Sequence, residues 1–302
     1  MIIFDYLIFP GFLFSAVVGL IAGWIDRKVT ARIHWRVGPP WYQNFVDFFK
    51  LLGKETILPA DGKATFLFAP LMGLISVSLV ATILGKVLIN PAESFIGDLI
   101  VILYLLVIPA ISIILGASAS RNPLASVGAS REMKMVLAYE LPFILSIITV
   151  IIKSGTVIKL GQIVTYQMNN TAMLGSISGW IAFLVAILCM QAKLGLVPFD
   201  ASEAEQEIMA GAFIEYSGFA LAAFKLMESV LLYVMPLFLV ILFWSANINL
   251  SSLIGKYVVL LVVIVLIKNT NPRVRIDQAL KFFWGPVTAL AVISISLAVL
   301  GL

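Results

Sequence analysis

Residues 98–119 read DLIVILYLLVIPAISIILGASA. Past Asp98 nothing in that stretch is charged. About 20 apolar residues suffice for a helix to cross a bilayer. Seven more stretches carry the same signal. In chain order the eight are 6–25, 65–89, 98–119, 133–152, 178–198, 211–244, 251–267 and 282–302. The sixth is too long for one straight span and holds Pro236, so it is expected to tilt, kink, leave the bilayer or split in two. The expected fold class is an all-α integral membrane protein. Residues 1–302 form a single polytopic membrane domain with eight transmembrane helices.

Composition agrees. Of 302 residues 61% are hydrophobic and 12% charged, with a mean hydropathy of +1.07. Soluble domains carry about 25% charged residues. A soluble globular enzyme, a disordered chain and a disulfide scaffold are thereby excluded, and nucleic-acid binding is not expected. Cys189 and His34 are the only cysteine and histidine. An iron–sulfur cluster, a structural zinc site or bis-histidine haem ligation needs more ligands than these. Any redox centre connected with this chain belongs to a partner or to a small molecule at an interface.

The first span reads as an uncleaved helix. Asp5 lies on its N-terminal side, where no Lys or Arg occurs, and the positive cluster follows it. Gly11, Ser15, Gly19 and Gly23 recur every four residues and form a stripe that lets another helix approach closely. Of the 20 Lys and Arg residues, 15 fall on the connections after spans one, three, five and seven, Lys193 among them. Lys86, Lys153, Lys159 and Lys256 fall on the other side, and Lys225 lies inside span six. The asymmetry puts the first set in the cytoplasm and both termini outside.

Five polar features remain. Lys28, Arg32 and Arg36 are four apart, and on a helix they form one basic stripe, suited to anionic headgroups or to a docked subunit. Within 41–54, Gln43, Asp47, Lys50 and Lys54 alternate with Phe and Leu, which predicts an amphipathic helix lying in the membrane interface. Between Pro198 and Glu207 lie four carboxylates, Asp200, Glu203, Glu205 and Glu207. Asp200 with Glu203 fits a helix capping box; the whole cluster suits proton handling or partner contact. Glu140 sits about 10 Å into span four, and Glu215, Lys225 and Glu228 lie in span six. Ionisable groups at such depth mark ion or proton paths, or pair with each other. Last comes a basic connection with Arg273, Arg275 and Asp277, which suits topogenesis or docking. No Walker loop, dinucleotide fingerprint, metal-ligand spacing or catalytic triad accompanies them, so no catalytic, cofactor-binding or metal residue is assigned.

Taken together these segments resemble a known family. Asp26-Arg27-Lys28 with Ala31-Arg32, then Arg36-Val37-Gly38-Pro39, resembles the first cytoplasmic loop of the H-type (chain-one) membrane subunit of respiratory complex I. Asp47 to Leu52 with Lys54-Glu55 resembles that family's next segment. Pro198-Phe199-Asp200, Glu203-Ala204-Glu205, Glu207 and Glu215-Tyr216-Ser217-Gly218 match its most specific signature. Pro272-Arg273, Arg275 and Asp277-Gln278 resemble its last loop. One departure stands out: Pro40 follows Gly38-Pro39 where complex I usually has Asn. Gly38-Pro39-Pro40-Trp41-Tyr42-Gln43 is more similar to the M-type membrane subunit of energy-converting membrane-bound [NiFe] hydrogenases and sulfane sulfur reductases.

The resemblance implies a non-catalytic membrane-anchor and coupling subunit of an oxidoreductase complex in a prokaryotic cell membrane. It implies hydrophilic hydrogenase-like and iron–sulfur subunits and antiporter-like membrane subunits as partners, besides the lipid bilayer. Iron–sulfur centres, and nickel–iron in the hydrogenase branch, would sit on those partners, with no cofactor in this chain. Carried over, the proton path falls on Glu140, Asp200, Glu203, Glu205, Glu207, Glu215, Lys225 and Glu228. Docking falls on Arg27, Lys28, Arg32, Arg36, Arg273, Arg275 and Asp277. Two other readings stay open: the quinone-site H-type subunit of NADH:quinone oxidoreductase, and a standalone secondary transporter.

Overall fold

A computed structural model describes residues 2–59, 62–246 and 249–302, with the side chains of residues 2, 3, 205 and 206 outside that description. Among the described residues the chain is all-helical, with no strand. Thirteen α-helices follow in order: α1 Ile2–Leu7, α2 Phe12–Ile33, α3 Gln43–Leu52, α4 Lys63–Ile89, α5 Asp98–Ala119, α6 Pro123–Lys153, α7 Leu160–Asn169, α8 Ile177–Lys193, α9 Glu205–Ile208, α10 Gly218–Phe243, α11 Leu250–Thr270, α12 Ile276–Phe282 and α13 Thr288–Val299. A π-helical turn, Phe283–Val287, joins α12 and α13 into one span, Ile276–Val299. Seven helical stretches are long and apolar enough to cross a membrane, and α8 is a shorter apolar helix of 17 residues. These correspond to the eight expected stretches, and α3 is the expected amphipathic helix.

Helix α10 is the hub. Every residue from Val230 to Phe243 is buried. Such burial all round leaves no lipid-facing side, as expected of a central helix. Helices α2, α4, α8 and α11 pack around it. Within the predicted small-residue stripe, Gly19 is the position that admits α2: a Cβ there would come within 2.7 Å of the Ser229 carbonyl on α10. The outer helices α2, α5, α11 and α13 leave large apolar side chains open, such as Tyr104 at 73% exposure, as a lipid-facing surface requires.

Three boundaries differ from expectation in ways that matter below. Span four begins at Pro123, where the Asn122 side chain caps the helix by accepting from the Leu124 N–H, so Arg131, Glu132 and Lys134 ride on α6 and not on a loop. Span five ends at Lys193, which is the last residue of α8 and buried, not a connection charge. Span six starts at Gly218, and it neither splits nor ends at Pro236. Residues 211–217 form a 3-10 turn and an irregular stretch instead, so Glu215 lies outside the helix and is exposed.

The two ends of the bundle differ in content. At one end Asp5 pairs with Lys86 at 3.1 Å, and buried Asp98 accepts from the Leu160 N–H at 2.8 Å. Most of the remaining charges gather at the other end, around α3, α9 and the connections that flank α9.

Candidate functional site

At the charged end, α2, α3, α10 and the connection after α8 enclose a cavity of about 430 Å³. Its lining mixes apolar side chains, Leu20, Phe48, Leu51, Leu226 and Leu232 among them, with the charged Asp26, Asp47, Glu203, Lys225 and Glu228. Each charged group is held by a definite partner. Lys225 and Glu228 are three apart on α10, and the ammonium lies 2.8 Å from Glu228 Oε2. The same ammonium is 3.8 Å from Glu203 Oε2 and 5.0 Å from the centre of the Phe213 ring. One lysine thus serves two carboxylates, one on a helix and one on a connection.

Glu203 is the group this arrangement perturbs most. Enclosure by protein and then the Glu228 carboxylate push its carboxyl up to about 8, against the pull of Lys225, with Glu132 and Asp200 adding to the rise. Its side chain keeps a third of its surface accessible and lines the cavity. A carboxyl titrating near 8 both takes up and releases a proton close to neutral pH. Asp47 goes the other way. Burial disfavours its charge, but hydrogen bonds from Arg27 and Gln43 outweigh that and hold it below the usual carboxylate range. Arg27 reaches Asp47 at 3.0 Å and Asn44 at 2.6 Å, and Asn44 donates to the Leu20 carbonyl at 2.9 Å, so α3 is pinned to α2. Asp26 on α2 accepts from Lys268 on α11 at 2.8 Å. Its other oxygen has no protein partner among the described residues.

A line of groups leads from the cavity into the bundle. Glu132 on α6 is buried and lies beside Ser202 of the connection after α8. Eight residues further along α6, about 12 Å by helix rise, stands Glu140. Buried Tyr139 lies between the two in sequence. Glu140 pairs at 2.9 Å with Lys193, whose side chain is only 2% accessible and whose ammonium sits over the Phe143 and Tyr139 rings.

With this geometry in view, comparison with known proteins decides the family. The family described as NADH dehydrogenase matches residues 6–299. The chain belongs to that family. The H subunit of the NADH-quinone oxidoreductase of Anoxybacillus flavithermus is 31% identical over 89% of this chain and 85% of its own length. The H subunit of the Geobacillus thermodenitrificans enzyme is 30% identical over 90% and 86%. Among solved structures, a chain of the membrane-bound sulfane sulfur reductase, an archaeal respiratory membrane complex, superposes with a TM-score of 0.84 at 29% identity, covering 95% of this chain and 96% of that one. The protein is a multi-span membrane subunit of a complex I-like respiratory complex.

Within this NADH dehydrogenase family member, the expected residues divide into groups. Glu203, Lys225 and Glu228 come together at the cavity. Asp200 does not cap a helix: α9 starts at Glu205 after Ala204, and the Asp200 carboxylate is gripped by the Arg273 guanidinium, with Nε at 2.8 Å from Oδ1. Glu207 pairs with Arg131 of α6. The Glu205 side chain falls outside the described residues. Glu215 stands apart from the cavity and accepts from Asn122 at 2.6 Å. Of the docking set, Arg27 and Arg273 are engaged within the chain. Lys28, Arg32, Arg36, Arg275 and Asp277 form no ion pair among the described residues. Sequence reading missed Glu132, Lys193, Asp26 and Lys268. Glu132 lies one residue outside the expected span, and the partners of Asp26 and Glu140 are remote in sequence. Among the described residues no cluster of three His, Cys, Asp or Glu is placed to hold a metal.

Proposed function

We propose that this chain is the membrane-anchor and coupling subunit that docks a cytoplasmic redox arm and relays redox energy to antiporter-like membrane subunits. The arm comprises hydrophilic hydrogenase-like and iron–sulfur subunits, which carry the redox centres. The observation that carries the reading is the link between the two connections at the charged end. Arg273 holds Asp200, and the Val274 N–H donates to the Pro198 carbonyl at 3.0 Å. Glu203 lies three residues beyond Asp200 and shares Lys225 with Glu228. A partner that shifts the 272–275 connection therefore shifts Glu203 against Lys225. Loss of that contact raises the proton affinity of Glu203, and approach lowers it. Carboxylates in mutual reach titrate as one set, so the change is felt at Glu132, and from there the path continues to Glu140. Asp200 and Glu207 hold the cluster in place, Glu205 extends it, and Glu215 marks its exposed flank. The chain itself performs no catalysis, lies in the cell membrane of a prokaryote and has both termini outside.

The test is ion uptake per electron in inverted vesicles. Glu203→Gln and Glu228→Gln are expected to leave electron flow and lower uptake severalfold. Uptake per electron equal to wild type in both variants would sink the relay.

Two branches of the family differ in the electron acceptor. Pro40 and the likeness to the sulfane sulfur reductase chain favour ferredoxin-linked hydrogenase or sulfane reductase chemistry without quinone. The half-apolar cavity and the NADH-quinone oxidoreductase relatives favour a quinone-site subunit of complex I type. Electron transfer by the assembled complex in quinone-free detergent separates them: it continues in the first, and needs added quinone in the second.

A further inference from the structure

Trp35, in the connection between α2 and α3, is 99% exposed. Its backbone is nevertheless fixed. The Trp35 N–H donates to the Arg32 carbonyl at 3.1 Å, and the Arg36 N–H donates to the Ala31 carbonyl at 2.7 Å. Trp24 Nε1 donates to the Pro39 carbonyl at 3.1 Å, and His34 Nε2 meets Asn269 Oδ1 of α11 at 3.1 Å. Gly38, at φ +73°, lies so near α2 that a Cβ there would stand 2.9 Å from the Ala31 Cβ. Trp35 itself has φ +57°, a conformation that costs a bulky residue energy and persists only where its surroundings impose it. The fold thus holds a tryptophan rigidly and presents its ring to nothing in its own chain.

The position of Trp35 along the membrane normal selects the occupant. Asn44 reaches Leu20 and Asp47 reaches Arg27, so interfacial α3 is level with residues 20–27 of α2. Helix α2 continues to Ile33, about 9 Å further out. A tryptophan serving the bilayer interface belongs at the level of α3, where Trp41 and Tyr42 stand. Trp35 is carried beyond that level, towards water. Val37 beside it is 75% exposed, and Arg32 and Arg36 are exposed around it with no ion pair among the described residues. A rigid Trp among Arg residues is the composition of an interface hot spot, and its fixed backbone spares the ordering cost of binding.

We propose that Trp35 is the anchor of the docking surface, entering an apolar pocket rimmed by carboxylates on a water-soluble partner subunit. This rests on the reading of the chain as the membrane anchor of a soluble arm. The test purifies the whole complex through a tag on this chain, as wild type, as Trp35→Ala, and as the pair Arg32→Glu with Arg36→Glu. Retention of the soluble subunits is then followed on dilution. The Trp35 ring packs on nothing in this chain, so Trp35→Ala keeps the fold. It is expected to retain the membrane subunits and hold the soluble arm about 30-fold more weakly. The charge-reversed pair releases the arm too, and wild-type retention falls with salt. Normal retention in Trp35→Ala with release by the charge-reversed pair overturns the anchor and leaves the docking reading standing. Normal retention in both overturns docking at this connection. Quenching of the Trp35 emission by brominated lipid, read as the difference between wild type and Trp35→Phe in nanodiscs stripped of the arm, overturns the proposal in favour of membrane insertion.

Discussion

Glu140 and Lys193 form the most deeply enclosed ion pair of the site, and replacing Glu140 by Gln separates its structural role from its proposed proton role. The Lys193 side chain is 2% accessible, that of Glu140 20%, and they meet at 2.9 Å. Gln keeps the shape and one hydrogen-bond acceptor but leaves the ammonium without a counter-ion. Removing one partner of a buried pair costs about 3–5 kcal/mol. Lys193 has one escape, which is to lose its proton. At pH 7 that costs about 4.6 kcal/mol for a lysine of ordinary pKa near 10.4, and this caps the penalty. The expected loss is therefore about 3 to 4.6 kcal/mol. At roughly 2 °C per kcal/mol for a chain above 250 residues, Glu140→Gln melts about 6–9 °C below wild type. Replacing both residues removes the orphaned charge, so Glu140→Gln with Lys193→Met is expected within about 1 kcal/mol of wild type. The assay is intrinsic-fluorescence melting of the complex in nanodiscs for wild type, both single variants and the double variant. Equal melting of Glu140→Gln and wild type would refute the pairing argument. The double variant also isolates function. If stability returns while ion uptake per electron stays low, the Glu140–Lys193 pair handles protons; if uptake returns with stability, the pair is scaffolding.

Glu203 carries a pH signature. Its carboxyl is raised from about 4.5 in the unfolded chain to about 8, so folding favours its protonated form, and the stability this gives is full below about 4.5 and lost as pH rises through about 8. Glu203→Gln is expected to remove that decline from melting curves taken between pH 5 and 9; an unchanged slope would mean that Glu203 is not the titrating group. Topology is tested by Val37→Cys, at a position 75% exposed, and Ile96→Cys, at one 91% exposed, which are expected to label from opposite faces of the membrane. Buried Cys189 should stay silent, and labelling of both positions from one face would refute the orientation.

The spans are legible because each is a long apolar run, and α3 because its polar residues fall four, three and four apart. Boundaries are not, since a helix continues past its last apolar residue whenever a cap or a partner holds its end. Asn122 extends α6 backwards by ten residues from the expected start, and with them brings Glu132 into the site. Lys193 reads as a loop cation because hydropathy cannot tell a charge in water from one seated against Phe143 and Tyr139. Glu215 reads as embedded because the residues around it are apolar, although a 3-10 turn and a positive φ at Gly218 delay the start of α10. The carboxylate cluster is visible as a cluster. Its partners, Arg273, Lys225 and Arg131, are not visible as partners. Pairings across 73 or 76 positions leave no local pattern.

Those long-range pairings decide what kind of coupling the proposed relay would perform. Lys225 and Glu228 share rigid α10, whereas Glu203 sits on the connection after α8, which Arg273 and Val274 tie to the connection before α12. Lys225 and Glu228, the two nearest charges that act on Glu203, are thus fixed to the core, whereas Glu203 itself is tied to a connection at the surface. Coulomb attraction between Lys225 and Glu203, now 3.8 Å apart, falls with distance. Retreat of Glu203 by a few ångströms weakens the pull of Lys225 on its carboxylate and favours proton uptake at Glu203. Advance does the reverse. Displacement in one direction therefore has a definite electrostatic sign. Cutting the tether is the direct test of it. Arg273→Met frees Asp200 without touching the cavity, so Glu203 should keep its raised carboxyl while ion uptake per electron falls. Normal uptake with the tether cut would mean that the connection moves for some other reason, or that the signal reaches Glu203 by another route.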